Sequence, residues 1–270
     1  LRKKYIITAI GSGSILPLHR PLLALVARRC LRRADAVIAI SKFTRDEIIK
    51  KIPGLAVRVV NPGIHGEEYA KATKLPLPEK VLNMRPYILS VGTIRWRKGY
   101  KRSIRAFAEV SQKFPHFKYV IIGKRHSESF FQELRRIIHE LDLQEKVVFF
   151  DAIETRAELL AWYRGAELFC LFSENVNHDV EGFGIVFLEA AACGLPVVGV
   201  KHCGVEDAVE DGKNGILIGS REPKEFADAI IKILGNSMLR DSMKKESLAR
   251  AEEFEWERKI DEYKDIYQNL

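Results

Sequence analysis

From Tyr87 onward, short runs of continuous apolar residues alternate with longer stretches in which apolar residues recur every three or four positions. The first pattern predicts buried strands and the second amphipathic helices. YILSVG, KYVIIG, KVVFF, LFCLFS and PVVGV read as strands. KRSIRAFAEVSQKF, SFFQELRRIIHELDL, RAELLAWYRGA and PKEFADAIIKIL read as helices, with a short one over 185–193. Strands alternating with helices at this spacing predict an α/β fold whose parallel sheet is covered on both faces. Upstream, YIITAI reads as a strand, GSGS as a turn, RPLLALVARRCLRRA as a basic amphipathic helix and DAVIAIS as a buried strand. Ser41 caps a helix that stops before Pro53, and AVRVVNPG is a strand and turn. The stretch from Met238 to the end reads as helical. Prolines at 76, 78 and 86 mark a linker over 76–86, which separates residues 1–75 from a larger domain over 87–250, followed by a terminal helix over 251–270.

Composition narrows the function. With 47% hydrophobic residues the chain is globular. Its 44 basic and 36 acidic residues leave a net charge of +8, which suits phosphates, nucleic acid or acidic lipid surfaces. No basic stretch is interleaved with aromatic residues, so nucleic acid is not expected as a partner. The four cysteines have no CxxC spacing, which favours a reduced, cytoplasmic setting over a disulfide framework. No apolar run approaches the ~20 residues of a membrane span, and no signal peptide is evident.

The chemistry concentrates in EGFGIVFLEAAACGLPVV, residues 181–198. LFCLFS ends at Ser173, so the loop after it and the helix beyond line the crevice at the carboxyl end of a parallel sheet. Gly182 and Gly184 remove side chains where a backbone must approach something closely. The amides of Gly184, Ile185 and Val186 are first-turn donors at a positive helix end, suited to an anion. Glu189 lies one turn into that helix among apolar neighbours, where a bare carboxylate is costly. Two readings remain open for it: an ion pair with a nearby Lys or Arg, or acceptance of both hydroxyls of a vicinal diol. TIRWRKGY supplies Arg95, Arg97 and Lys98 between a strand and a helix on the same sheet edge.

The segment EGFGIVFLEAAACG resembles the E-x7-E signature of retaining glycosyltransferases of family 4, which have the two-Rossmann GT-B fold. VGTIRWRKG, AELLAWYRGAELFCLFS, CGVEDAVEDGKNGILI, FEWERKIDEYKDIY, ADAVIAISKFTRDEI and RVVNPGI fall in that family's order. The resemblance implies a nucleotide-diphosphate hexose (GDP- or UDP-linked, for instance mannose or glucose) as donor and a lipid, polysaccharide or other hydroxyl acceptor. It implies no cofactor and no metal, and the sequence holds no D-x-D motif. By resemblance the donor site comprises Gly92, Thr93, Arg95, Arg97, Lys98, Glu181, Phe183, Gly184, Ile185, Val186 and Glu189. Within it Glu181 holds the sugar, Lys98 and the amides of 183–186 hold the diphosphate, and Glu189 takes the ribose. Glu181 and Lys98 are the implied catalytic pair. The family's usual arginine after the first glycine falls at Thr93, and either Arg95 or Arg97 could substitute.

Two departures define the alternative. Residues 1–75 resemble only the second half of the family's N-terminal domain, and a histidine usual near the transferred sugar falls at Ile10. The alternative is therefore a nucleotide-sugar-binding fragment, or a divergent relative, without turnover. Trp96, Trp162 and Trp256 are expected to pack rather than stack on a base, and Lys124 and Arg125 to lie near the nucleotide or in a solvated loop. LLALVA, within the basic helix, is expected to pack on the sheet or to touch an anionic membrane surface peripherally.

Overall fold

The computed structural model describes residues 3–151 and 153–270. Two parallel sheets organise it. The first is built from β1 (Ile6–Ala9), β2 (Ala36–Ala39) and β3 (Arg58–Val59), paired in that order. The chain passes from β1 through α1 (Ser12–Ile15), a 3₁₀ turn and α2 (Pro21–Arg33) to β2, then through α3 (Lys42–Lys51) to β3. The connection to the second sheet holds α4 (Gly66–Ala72) and α5 (Glu79–Leu82). The second sheet has the order β6-β5-β4-β7-β8-β9 and all its pairings are parallel. Its strands are β4 (Tyr87–Val91), β5 (Lys118–Ile122), β6 (Val147–Phe150), β7 (Leu168–Cys170), β8 (Val197–Val200) and β9 (Gly215–Ile218). Between them lie α6 (Tyr100–Lys113), α7 (Glu128–Glu140), α8 (Arg156–Gly165), α9 (Ile185–Ala192) and α10 (Val205–Ala208), and after them α11 (Pro223–Leu234), α12 (Ser237–Glu252) and α13 (Trp256–Gln268).

The central strands are apolar throughout because helices cover both faces: every residue of β4 and β8 is buried. Helix starts follow capping chemistry. The side chains of Ser41, Ser127, Thr155 and Asn236 each accept a first-turn amide. The first sheet has a small core of Ala9, Leu18, Leu31, Val37, Ile48 and Ile52. The terminal helix α13 lays Ile266 and Tyr263 against Ile38 and Val60 of that sheet, far from its own neighbours in sequence.

Several expectations fail in instructive ways. The stretch read as a linker carries a helical turn, with Pro78 as its N-cap and Val81 fully buried. A short helix also precedes it: α4 buries Tyr69 and Ala72, two apolar residues three apart that are too few to show a period. LLALVA packs on the sheet only through its small residues: Ala27 reaches the core of the first sheet, and the large side chains do not. Leu22, Leu25 and Val26 are 84%, 69% and 62% exposed, and α2 buries only Ala24 and Leu31. Trp162 is fully buried as expected of a packing residue, but Trp96 is 51% exposed. Arg125 is tied to Asp151 at 2.6 Å and lies 3.7 Å from the ring centroid of Phe131.

Candidate functional site

The second sheet grows from β4 towards β5 on one side and towards β7 on the other. At such a switch in strand order the loops leaving the carboxyl ends diverge and open a crevice for a ligand. The loop after β4 carries Gly92, Thr93, Arg95, Arg97 and Lys98. The loop after β7 carries Ser173 to Gly184. The sequence thus delivers its cations and its first glutamate to one place.

Glu181 is the centre of that place. Lys98 Nζ, Arg97 Nη1 at 3.0 Å and Ser173 Oγ at 2.9 Å all donate to its Oε2. Among the described residues Oε1 receives no donor, so half of the carboxylate is open to a hydroxyl. Burial alone would raise the Glu181 pKa. The charges of Lys98 and Arg97, with hydrogen bonds from Lys98 and Ser173, outweigh it and hold the group below the usual carboxylate range. Burial pulls Lys98 below the ordinary lysine value, with Glu181 opposing and Arg97 adding to the shift.

A second carboxylate, Asp179, faces the same cations. Arg95 pairs with its Oδ2, and Arg97 Nε lies 3.3 Å from its Oδ1. Ser12, the first residue of α1, donates to Asp179 Oδ1 at 2.7 Å, and its Oγ receives the Val180 amide at 2.8 Å. Beside this contact the two units meet backbone to backbone. A Cβ on Gly11 would stand 2.9 Å from Gly182 Cα, and Gly11 has φ +76°, so neither loop admits a side chain there. Thr44 Oγ1 reaches the Gly182 carbonyl at 3.4 Å, and Asp207 accepts the Lys42 amide at 2.6 Å and Asn61 Nδ2 at 3.1 Å.

Between these contacts lies a hollow of about 570 Å³. Ile10, Ser12, Ile40, Pro62 and Gly63 form one wall. Arg95, Arg97 and residues 179–185 form the other, and Trp256 closes one end. The helix α9 starts at the hollow, from Gly184 in the left-handed region, and its first two amides, those of Ile185 and Val186, have no intrahelical acceptor. The arrangement gives one pocket two cations in its wall and a third behind Glu181, a helix N-terminus and a carboxylate oxygen free to accept. That set can hold a polyhydroxylated anion by its charge and by a hydroxyl at once.

The structure sorts the expected residues. Arg95, Arg97, Glu181, Phe183, Gly184 and Ile185 line the hollow. Lys98 lies behind Glu181, 9% exposed, and reaches the hollow through that carboxylate. Gly92 is beneath it, its carbonyl taking the Tyr100 hydroxyl at 2.8 Å. Thr93 is exposed and Val186 half-buried, and neither side chain belongs to the wall. Glu189 is outside the hollow, with its Oε1 2.7 Å from Arg156 Nη1 and its Oε2 2.9 Å from the Tyr163 hydroxyl. The ion-pair partner of Glu189 is thus Arg156, and Tyr163 donates to its other oxygen. The sequence reading missed Asp179, Ser12, Arg156 and Tyr163. Asp179 had a signal: two residues before Glu181 in an extended loop, it faces the same side. Ser12 and Arg156 had none, since both act from distant segments.

Two parallel sheets that face each other across a cleft, with cations on one strand-end loop and a carboxylate-led helix on the next, define the GT-B class of glycosyltransferase fold. Residues 76–250 match the model of the glycosyl transferases group 1, and the chain belongs to that family. It is 31% identical over 221 residues to a GDP-mannose-dependent alpha-(1-6)-phosphatidylinositol monomannoside mannosyltransferase of Mycolicibacterium smegmatis, covering 78% of this chain and 57% of that protein. It is 31% identical over 226 residues to a D-inositol 3-phosphate glycosyltransferase of Corynebacterium jeikeium, covering 80% and 52%. The chain spans about half the length of the curated relatives it matches. Among solved structures, HepE of Anabaena in complex with UDP and glucose superposes with a TM-score of 0.83 at 22% identity, over 100% of this chain and 72% of that one. WaaG, a glycosyltransferase involved in lipopolysaccharide biosynthesis, superposes at 0.69 and 18% identity, over 93% and 72%. At such identities the likeness concerns the fold.

Proposed function

We propose that this chain carries the donor site of a retaining, metal-independent glycosyltransferase, which moves a hexose from a nucleotide diphosphate to a hydroxyl acceptor. The observation that carries the reading is the convergence of Arg97 and Lys98 on Glu181, and of Arg95 and Arg97 on the neighbouring Asp179, at the start of α9. A leaving nucleoside diphosphate develops negative charge as the glycosidic bond breaks, and preorganised cations and helix amides stabilise it without a divalent ion. Glu181 Oε1 accepts a sugar hydroxyl. In a retaining reaction on this site the leaving phosphate oxygen takes the acceptor's proton, so no protein base is required. Glu189 accepts the ribose hydroxyls through the lone pairs that Arg156 and Tyr163 leave open. A mannosyltransferase relative named as GDP-mannose-dependent and a fold neighbour solved with UDP and glucose support a purine or pyrimidine diphosphate hexose as donor.

The acceptor side of the proposal rests on α2. Leu22, Leu25 and Val26 stand in solvent beside Arg28, Arg29 and Arg32, and the helix has no acidic residue. Such a face sits in the headgroup layer of an anionic cytoplasmic membrane surface, where a lipid-linked acceptor would be presented. The test of the donor reading is titration of UDP, GDP and their hexosides into the chain, followed by donor hydrolysis and anomer analysis of the released sugar. One-to-one binding with release of the α-anomer from an α-linked donor supports it. Binding without release supports a nucleotide-sugar-binding chain lacking turnover, a reading that Ile10 in the cleft wall favours. Absence of binding overturns both.

A further inference from the structure

Arg156 opens α8, immediately after the Thr155 cap. A cation at a helix N-terminus opposes the helix dipole, so helix formation does not call for it. Each nitrogen of the guanidinium is nevertheless engaged. Its Nη1 donates to Glu189 Oε1 at 2.7 Å, its Nη2 to the Tyr69 hydroxyl at 2.5 Å, and its Nε to Glu68 Oε2 at 3.3 Å. On the other oxygen of Glu189 the fully buried Tyr163 donates at 2.9 Å. Among the described residues one donor thus reaches each carboxylate oxygen. An ionised carboxylate offers about four lone-pair sites, so two remain, one on each oxygen, in a plane fixed by a rigid fork on one side and a core tyrosine on the other. Glu189 has three rotatable bonds, and holding such a side chain in one rotamer beforehand removes an ordering cost from binding.

We propose that Arg156 is a positioning residue for the nucleotide: it locks Glu189 in the plane that accepts a ribose 2′,3′-diol, and through Glu68 and Tyr69 it ties that carboxylate to α4. The proposal rests on the reading of Glu189 as the ribose ligand. It predicts selectivity for ribose over 2′-deoxyribose that depends on a residue with no nucleotide contact of its own.

The experiment is calorimetry with whichever of UDP or GDP binds more tightly, against its 2′-deoxy counterpart. A hydrogen bond to a charged group is worth about 1.5–3 kcal/mol, so the wild type should prefer the ribonucleotide by roughly tenfold or more. Arg156→Met should reduce that preference to about two- or threefold, while affinity for the deoxynucleotide changes by less than about twofold. Arg156→Lys, which keeps the charge without the fork, should fall between. Tyr163→Phe removes the support on the other oxygen and should erode the same preference, and it decides the matter if Arg156→Met does not fold. A wild type that binds both ligands equally means that Glu189 does not bind ribose, and the proposal falls with that reading. A preference lost in Glu189→Gln but intact in Arg156→Met and Tyr163→Phe leaves the ribose reading standing and overturns the role of Arg156. Equal losses for both nucleotides in Arg156→Met mean a purely structural ion pair and overturn it too.

Discussion

Glu181→Gln is the substitution whose consequences the geometry sets out most fully. It keeps the shape of the side chain and removes its charge. Lys98 and Arg97 then share the interior of the loop with Asp179 as their one remaining carboxylate among the described residues. Removing one partner of a fully buried pair costs about 3–5 kcal/mol. Lys98, Arg97 and Glu181 each retain 11% side-chain exposure, and the amide oxygen can still accept one donor. The expected loss of stability without ligand therefore falls below that range, about 2–3 kcal/mol. A nucleoside diphosphate brings its own negative charge to the same cations. Its affinity should rise by about 1 kcal/mol, roughly fivefold, and saturating ligand should recover part of the lost stability. The intact nucleotide sugar should gain nothing, because its hexose loses an acceptor, and transfer should fall further than donor affinity. Urea unfolding with and without saturating UDP or GDP, together with calorimetry on diphosphate and nucleotide sugar, tests all three. If diphosphate and nucleotide-sugar affinities fall together, Glu181 shapes the turn and does not touch the donor.

Lys98→Ala should cost more affinity for a nucleoside diphosphate than for the bare nucleoside, since only the former presents charge; equal losses would place the lysine in folding alone. EDTA should leave donor binding and turnover unchanged, and a strict manganese requirement would refute the metal-free mechanism. His19 and His178 stack across the two units with ring centroids 3.4 Å apart, and burial, with His178 and Lys51 adding and Glu47 opposing, lowers the His19 pKa from 6.5. The folded state thus takes up a proton less readily than the unfolded one, so stability is full above pH 6.5 and is lost as pH falls below it. Thermal melts between pH 7.5 and 5.5 should show about a one-group-steeper fall for the wild type than for His19→Asn; parallel curves would exclude the stack as the cause. Leu25→Glu with Val26→Glu should abolish sedimentation with phosphatidylglycerol vesicles and leave calorimetric nucleotide affinity intact, and unchanged sedimentation would remove α2 from the membrane contact.

The second sheet was legible because strands buried on both faces read as continuous apolar runs, as in YILSV and PVVGV, while the helices between them keep a 3.6-residue period. The glycine-rich start of α9 was legible for the same local reason: Gly184 and Gly194 bound a short apolar helix. The elements that escaped are short ones held by tertiary contact. Val81 is buried by α8 from across the connection, and Tyr69 by Arg156 and the core. The site divides along the same line. Arg95, Arg97, Lys98 and Glu181 lie beside strand ends, where topology alone brings them together. Asp179, Ser12 and Arg156 matter through partners far along the chain, and no local pattern records such pairs. The apolar face of α2 carries the opposite lesson: its period was read correctly, but what it faces was not, because periodicity gives the stripe and not its neighbour.

The central claim is that the hollow between the two sheets holds a nucleotide-diphosphate hexose, with Glu181 on the sugar and cations on the diphosphate. Calorimetric titration of UDP-hexose and GDP-hexose into the wild type and into an Arg97→Ala, Lys98→Ala double variant tests it most directly. One of the two donors should bind the wild type with one-to-one stoichiometry, and the double variant should lose that binding by at least about a hundredfold, two charge-assisted contacts of about 1.5 kcal/mol or more each. Equal affinity in the folded wild type and double variant, or no binding of either donor at millimolar concentration, would contradict the account.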